Sequence, residues 1–96
     1  MTAFFIATMT VKDGEKFQEY GGKAAQTFAP FGGSLVVRGK AGDTLAGSSN
    51  HQAVGVVRFP DMEALKAWYH SPDYQALIPL RDEAADMTLV TYEELA

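Results

Sequence analysis

Phe4-Phe5-Ile6-Ala7-Thr8-Met9-Thr10-Val11 opens the chain with eight residues rich in aromatic and β-branched side chains, closed off by Asp13-Gly14. That composition predicts a β-strand, because such side chains pack well on a pleated surface and Asp-Gly ends it. Phe5, Ala7, Met9 and Val11 would point to one side, Phe4 and Ile6 to the other, so both faces are apolar. Residues 52–59 repeat the pattern: Val54 and Val56 alternate with Gly55, Val57 and Phe59. An antiparallel sheet with one wet face would alternate apolar with polar residues. Both faces of this sheet therefore need cover.

Downstream of the first strand, Asp13 is placed to cap a helix running to about Ala29, with Glu15 in the first turn. Phe17, Tyr20, Ala24, Phe28 and Phe31 recur at helical spacing and form its apolar stripe, and Pro30 with Gly32-Gly33 ends it. Gly21-Gly22 interrupts the helix, a cost of about 1 kcal/mol per glycine relative to alanine. Close packing on the sheet is the expected reason, with a widened gap over a pocket as the alternative. Residues 34–38 make a second strand, joined to the third by a polar, glycine-rich connection over 39–51. Asp61 caps a second helix with Met62, Leu65, Trp68 and Tyr69 facing inward. Ser71-Pro72-Asp73 restarts a helix carrying Tyr74, Leu77, Ile78 and Arg81 on one face, which Pro79 should kink, and residues 87–92 form the last strand. The order β-α-β-β-α-β is the split βαβ pattern of a ferredoxin-like α+β fold. Two helices cover one sheet face only. A second copy of the sheet is the simplest cover for the other, so a homodimer is expected.

The 96 residues suit one domain, spanning 1–96, and charged residues make up 21% against 47% hydrophobic, an ordinary globular balance. No cysteine is present, which excludes disulfides, thiolate zinc sites and cysteine nucleophiles. The net charge of −4 leaves no basic stripe, so neither nucleic acid nor an anionic membrane is an expected partner. The element order also builds RNA-recognition modules, but their stacking positions would fall on Val54 and Val56, which are not aromatic. The N-terminal apolar stretch has no positive n-region and stops at Thr8 to Thr10, too soon for a signal peptide or a membrane span; the cytoplasm is the expected compartment.

The segment Phe59-Pro60-Asp61-Met62-Glu63-Ala64-Leu65-Lys66-Ala67-Trp68-Tyr69-His70-Ser71-Pro72-Asp73-Tyr74-Gln75-Ala76-Leu77, followed by Pro79 and Arg81, resembles the bacterial family known as domain of unknown function DUF1330. Gly32-Gly33-Ser34-Leu35-Val36-Val37-Arg38-Gly39 and Leu45-Ala46-Gly47 are similar to it too, although Lys40 stands where a second glycine is usual. The resemblance implies a four-stranded antiparallel sheet, helices on one face, and a dimeric alpha-beta barrel formed across the other. It implies no activity, because the family has none assigned. Its wider superfamily holds cofactor-free monooxygenases, isomerases, haem-degrading oxygenases and proteins without demonstrated catalysis, and fold likeness does not choose among them.

The candidate site is Trp68, Tyr69, Tyr74 and Arg81. A guanidinium on the apolar face of a helix is costly unless it meets an anion. A ligand carboxylate or enolate would serve, with the aromatics as walls; an internal ion pair with Asp61 or Asp73 is the alternative. Arg38 is a second candidate for substrate binding, expected on the same side of the sheet as Arg58 and flanked by Val36 and Val56. Tyr69 and His70 are the candidate catalytic groups, an imidazole being a side chain that can shuttle a proton. No HExxH or His-x-His spacing predicts a metal site, and no cofactor is expected. Two functions remain open on these residues: a homodimer that binds a small anionic or aromatic metabolite without catalysis, or a cofactor-independent monooxygenase or isomerase acting on such a molecule.

Overall fold

A computed structural model describes residues 1–95. Strand β1 (Ala3–Val11) leads into α1 (Gly14–Phe28), a short 3-10 turn (Ala29–Phe31), β2 (Ser34–Lys40) and β3 (Ala53–Phe59). Helices α2 (Met62–Tyr69), α3 (Pro72–Gln75) and α4 (Ile78–Ala84) then precede β4 (Ala85–Glu93). The strands form one antiparallel sheet in the order β2-β3-β1-β4. This is the ferredoxin-like arrangement, with all helices on one face.

Local chemistry places the helix starts. Asp13 accepts a hydrogen bond from the Lys16 amide at 3.1 Å, Asp61 from the Ala64 amide at 2.8 Å, and Ser71 from the Tyr74 amide at 3.3 Å. Each cap satisfies one of the amide groups that a helix start leaves unpaired. Pro79 does not kink a continuous helix. It lies in the first turn of α4, so the chain ends α3 at Gln75 and begins again, which proline permits because a first-turn amide has no helical partner anyway.

The turn after α1 depends on its two glycines. Gly32 holds φ +76°, and a Cβ there would meet Pro60 Cγ at 2.8 Å. A Cβ on Gly33 would lie 2.6 Å from Phe59 Cε1, on a ring that is itself buried. The close approach seals the end of the core.

The core lies between the sheet and the helices. Ala3, Phe5, Ala7 and Met9 of β1, Val57 and Phe59 of β3, Leu65 and Trp68 of α2, and Tyr74 of α3 are buried. The opposite face of the sheet carries Phe4, Ile6, Val37, Val56, Val90 and Tyr92. Their pairing shows it: Ile6 stands opposite Val56 and Val90, Val37 opposite Val56, and Phe4 opposite Tyr92, with the last two rings stacked at 5.3 Å. No helix among the described residues covers this face.

One strand departs from simple alternation. Leu35 pairs with Val57, but the next pair is Val37 with Val56, so Val36 is an extra residue in a β-bulge. The bulge turns Arg38 to the helix side, opposite Gly55, whereas Arg58 stands opposite Phe4 on the uncovered side. The two arginines therefore face opposite sides of the sheet, not the same side, and Arg58 pairs instead with Glu94 at 2.6 Å.

Gly21 and Gly22 are not there for close packing. A Cβ added at either would find no neighbour within 4 Å. Gly21 borders a cavity and Gly22 faces solvent. Since Gly22 has no positive φ to protect, Gly22→Ala is expected to stabilise the fold by about 1 kcal/mol through helix propensity. That should raise Tm by roughly 4–8 °C. A thermal melt that shows no gain would mean the glycine serves some contact of the helix.

Candidate functional site

Helix α1 stands away from the sheet along the stretch that contains Gly21. The space beneath it is a cavity of about 640 Å³, within the range of small-molecule sites. Phe17, Ala24 and Phe28 of α1 form its roof, and Met9, Met87 and Val57 are on its floor. Only two lining residues bear groups that can be charged: Tyr20 from α1 and Arg38 from β2. No histidine, aspartate or glutamate borders it among the described residues. A site of this composition can hold an apolar body and hydrogen-bond or ion-pair one end of it. It offers no general base.

The four residues singled out around Trp68 do come together, but outside this cavity. Trp68 is fully buried, with ring centroids 4.3 Å from Tyr74 and 5.0 Å from Phe5, and its indole donates to Thr27 Oγ1 at 2.8 Å. The indole is thus both core and hydrogen-bonded, as buried tryptophans usually are. Arg81 Nη1 donates to the hydroxyls of Tyr74 at 3.3 Å and Tyr69 at 3.5 Å, and Nε donates to Asp82 at 3.2 Å. The guanidinium meets neither Asp61, which is occupied in capping α2, nor Asp73. Its carboxylate partner is the exposed neighbour Asp82. Burial works against its charge, but the bonds to Tyr69 and Tyr74 outweigh that and hold the Arg81 pKa above its ordinary value.

Tyr74 is bonded in turn to Tyr20, hydroxyl to hydroxyl, at 2.8 Å. Burial first, and then Tyr74, push the Tyr20 phenol well above its usual pKa, so it stays protonated throughout the working range. Tyr20 is therefore the link between the polar cluster around Arg81 and the cavity. Sequence reasoning had it only as part of an apolar stripe.

His70 and Tyr69 lie on a smaller hollow of about 230 Å³, shared with Lys66, Trp68 and Thr91. His70 is exposed at the end of α2, its ring 5.4 Å from that of Tyr69. Arg38 stands apart from both, on the large cavity. Of the six site residues expected from the sequence, Trp68, Tyr69, Tyr74 and Arg81 meet, His70 lies beside Tyr69, and Arg38 belongs to another site. The hint that could have located the cavity was Gly21-Gly22 within an otherwise amphipathic helix.

Fold and site together define a ferredoxin-like α+β domain with a ligand-sized cavity between its long helix and its sheet. The chain belongs to the family described as domain of unknown function (DUF1330), which matches residues 2–95. No curated protein matches it significantly. Among solved structures it is similar to a protein of unknown function from Rhodopseudomonas palustris, with a TM-score of 0.81 and 19% identity over 99% of this chain and 83% of that one. It is similar to SnoaB, a cofactor-independent oxygenase from Streptomyces nogalater, with a TM-score of 0.73 and 14% identity over 99% and 94% of the two chains. A dimeric ferredoxin-like protein of unknown function from Thermobifida fusca aligns with a TM-score of 0.62 and 16% identity over 96% and 90%. At these identities the likeness is one of fold. No helix among the described residues is long and apolar enough to cross a membrane.

Proposed function

We propose that this chain is a homodimeric binding protein for a small, mostly apolar metabolite with one anionic end. The observation that carries this reading is the 640 Å³ cavity with Arg38 as its only cation. Apolar walls supply affinity and a single charged group supplies orientation, the usual economy of a small-molecule site. The dimer is supported by the uncovered apolar face of the sheet and by the likeness to the dimeric protein from Thermobifida fusca.

Two probes test the ligand. 2-Naphthoate has an aromatic body and a carboxylate, and naphthalene has the body alone. Naphthoate at a hundredfold its dissociation constant should add about 2.7 kcal/mol to stability, a rise in Tm of roughly 10–20 °C. Arg38→Met should abolish the preference for naphthoate while leaving naphthalene binding intact. Gly21→Leu, which projects a side chain into the cavity, should block both without unfolding the protein. If neither probe shifts the melt of the wild type, the cavity does not bind this class.

A second reading is a cofactor-independent oxygenase or isomerase. It is favoured by Tyr69 and His70 sharing the smaller hollow, with Arg81 behind Tyr69, and by the fold shared with SnoaB. Oxygen uptake with aromatic hydroquinones, lost in both Tyr69→Phe and His70→Ala, would establish it. The absence of a base on the large cavity is why binding without catalysis is the first reading.

A further inference from the structure

Counting hydrogens along the buried polar chain gives it a direction. Arg81 can only donate, so the oxygens of Tyr69 and Tyr74 accept from it. Tyr74 and Tyr20 then share one hydrogen bond of 2.8 Å but own two phenolic hydrogens. One of these has no acceptor among the described residues. Both side chains are buried, and only Tyr20 of the two borders the large cavity, where an acceptor from outside the chain can come. Either hydroxyl can donate across this distance, and both hydrogens are satisfied if Tyr74 donates to Tyr20 and Tyr20 to an acceptor in the cavity. In that arrangement the hydrogen left over belongs to Tyr20, the one member of the chain that also borders the large cavity.

We infer that Tyr20 donates its phenolic hydrogen to an oxygen acceptor on the cavity's ligand, and that Arg81 strengthens this donor through Tyr74. The inference rests on the cavity being a ligand site and adds the chemistry at the ligand's second polar point: a carbonyl, quinone or phenolate oxygen. Successive hydrogen bonds polarise one another in a low-dielectric interior, so a guanidinium two bonds away works against the burial that weakens Tyr20 as a donor. Arg38 and Tyr20 come from opposite walls of the cavity, from β2 and α1. The ligand this arrangement suits has an acidic group on one side of an aromatic body and a keto or phenolic oxygen on the other. Tyr20 and Tyr74 are binding and positioning residues in this scheme.

Fluorenone and fluorene test it without involving Arg38, since both are uncharged and differ by one carbonyl. The wild type should bind fluorenone about five- to tenfold more tightly than fluorene, the worth of one buried hydrogen bond. The infrared carbonyl band of the bound ketone should lie at lower frequency than in an apolar solvent. Tyr20→Phe should erase the preference and return the band to its apolar position while fluorene binds as before. Tyr74→Phe and Arg81→Met keep the Tyr20 hydroxyl and should give bands between these limits, which a purely structural role for the chain would not produce. Equal binding of the two probes, or a band unmoved by Tyr20→Phe, would overturn the inference and leave the cavity as a ligand site. If neither probe binds to the wild type or to Tyr74→Phe, the cavity proposal fails and this one with it.

Discussion

Trp68→Ala is expected to cost about 3–5 kcal/mol, the range for removing a large aromatic from a packed core. Trp68 touches the rings of Phe5, Phe28, Phe59 and Tyr74, with centroids 4.3–5.5 Å away, so the deletion would open a void that none of these can fill without leaving its own contacts. The deletion also removes the hydrogen bond that the indole donates to Thr27 Oγ1, which keeps only its own bond to the Ala24 carbonyl. Small domains have only about 5–15 kcal/mol in total, so the variant should sit close to its unfolding transition at room temperature. Trp68→Phe keeps an aromatic ring and should cost less. Urea titrations of the two variants measure the difference; a loss below about 1 kcal/mol in Trp68→Ala would contradict the central place of this side chain.

Val56→Asp is expected to convert the proposed dimer into monomers. Val56 lies at the centre of the uncovered sheet face, between Ile6 and Val37, and a carboxylate there would be buried without a partner if a second sheet packs on it. Light scattering should report twice the 10.4 kDa chain mass for the wild type and the single mass for the variant. The dependence of Tm on protein concentration, a signature of folding linked to association, should vanish at the same time. A wild type that runs as a monomer at every concentration would remove the dimer from the proposal.

The order of elements was legible because each signal was local. Asp13, Asp61 and Ser71 are side-chain caps whose bonds close within three residues, and the alternation of β1 needs nothing beyond β1. The aromatic and arginine cluster was legible for a similar reason, since Trp68, Tyr69, Tyr74 and Arg81 are separated by no more than 13 positions on consecutive helices. What escaped was set by partners distant in sequence. Alternation alone puts Arg38 on the same side as Arg58, because it says nothing about a bulge, which exists only relative to β3. A proline inside a helical pattern reads locally as a kink, whereas the break between α3 and α4 is decided by what each helix packs on. Tyr20 read as one more apolar stripe residue, since its hydroxyl partner lies 54 positions away. Gly21-Gly22 was noticed, but whether the space above a missing side chain is filled or empty is a property of the sheet beneath it.

Val36 makes the address of Arg38 a matter of counting. Every residue of β2 beyond this point would change sides if Val36 paired with β3 instead of bulging, because side chains alternate with a period of two. Taking Val36 into regular pairing with Val56 would thus move Arg38 opposite Val54, onto the face where Arg58 already stands, and would bring Val37 opposite Gly55 on the cavity side. The same amino acids would then make a site with no cation and an uncovered face with two. Which side chains an edge strand presents to the cavity can accordingly change by whether one residue bulges or pairs, with no substitution anywhere. Comparisons between relatives should for that reason align β2 by its pairing with β3, since residues in the same column of a sequence alignment can occupy opposite sides of the sheet.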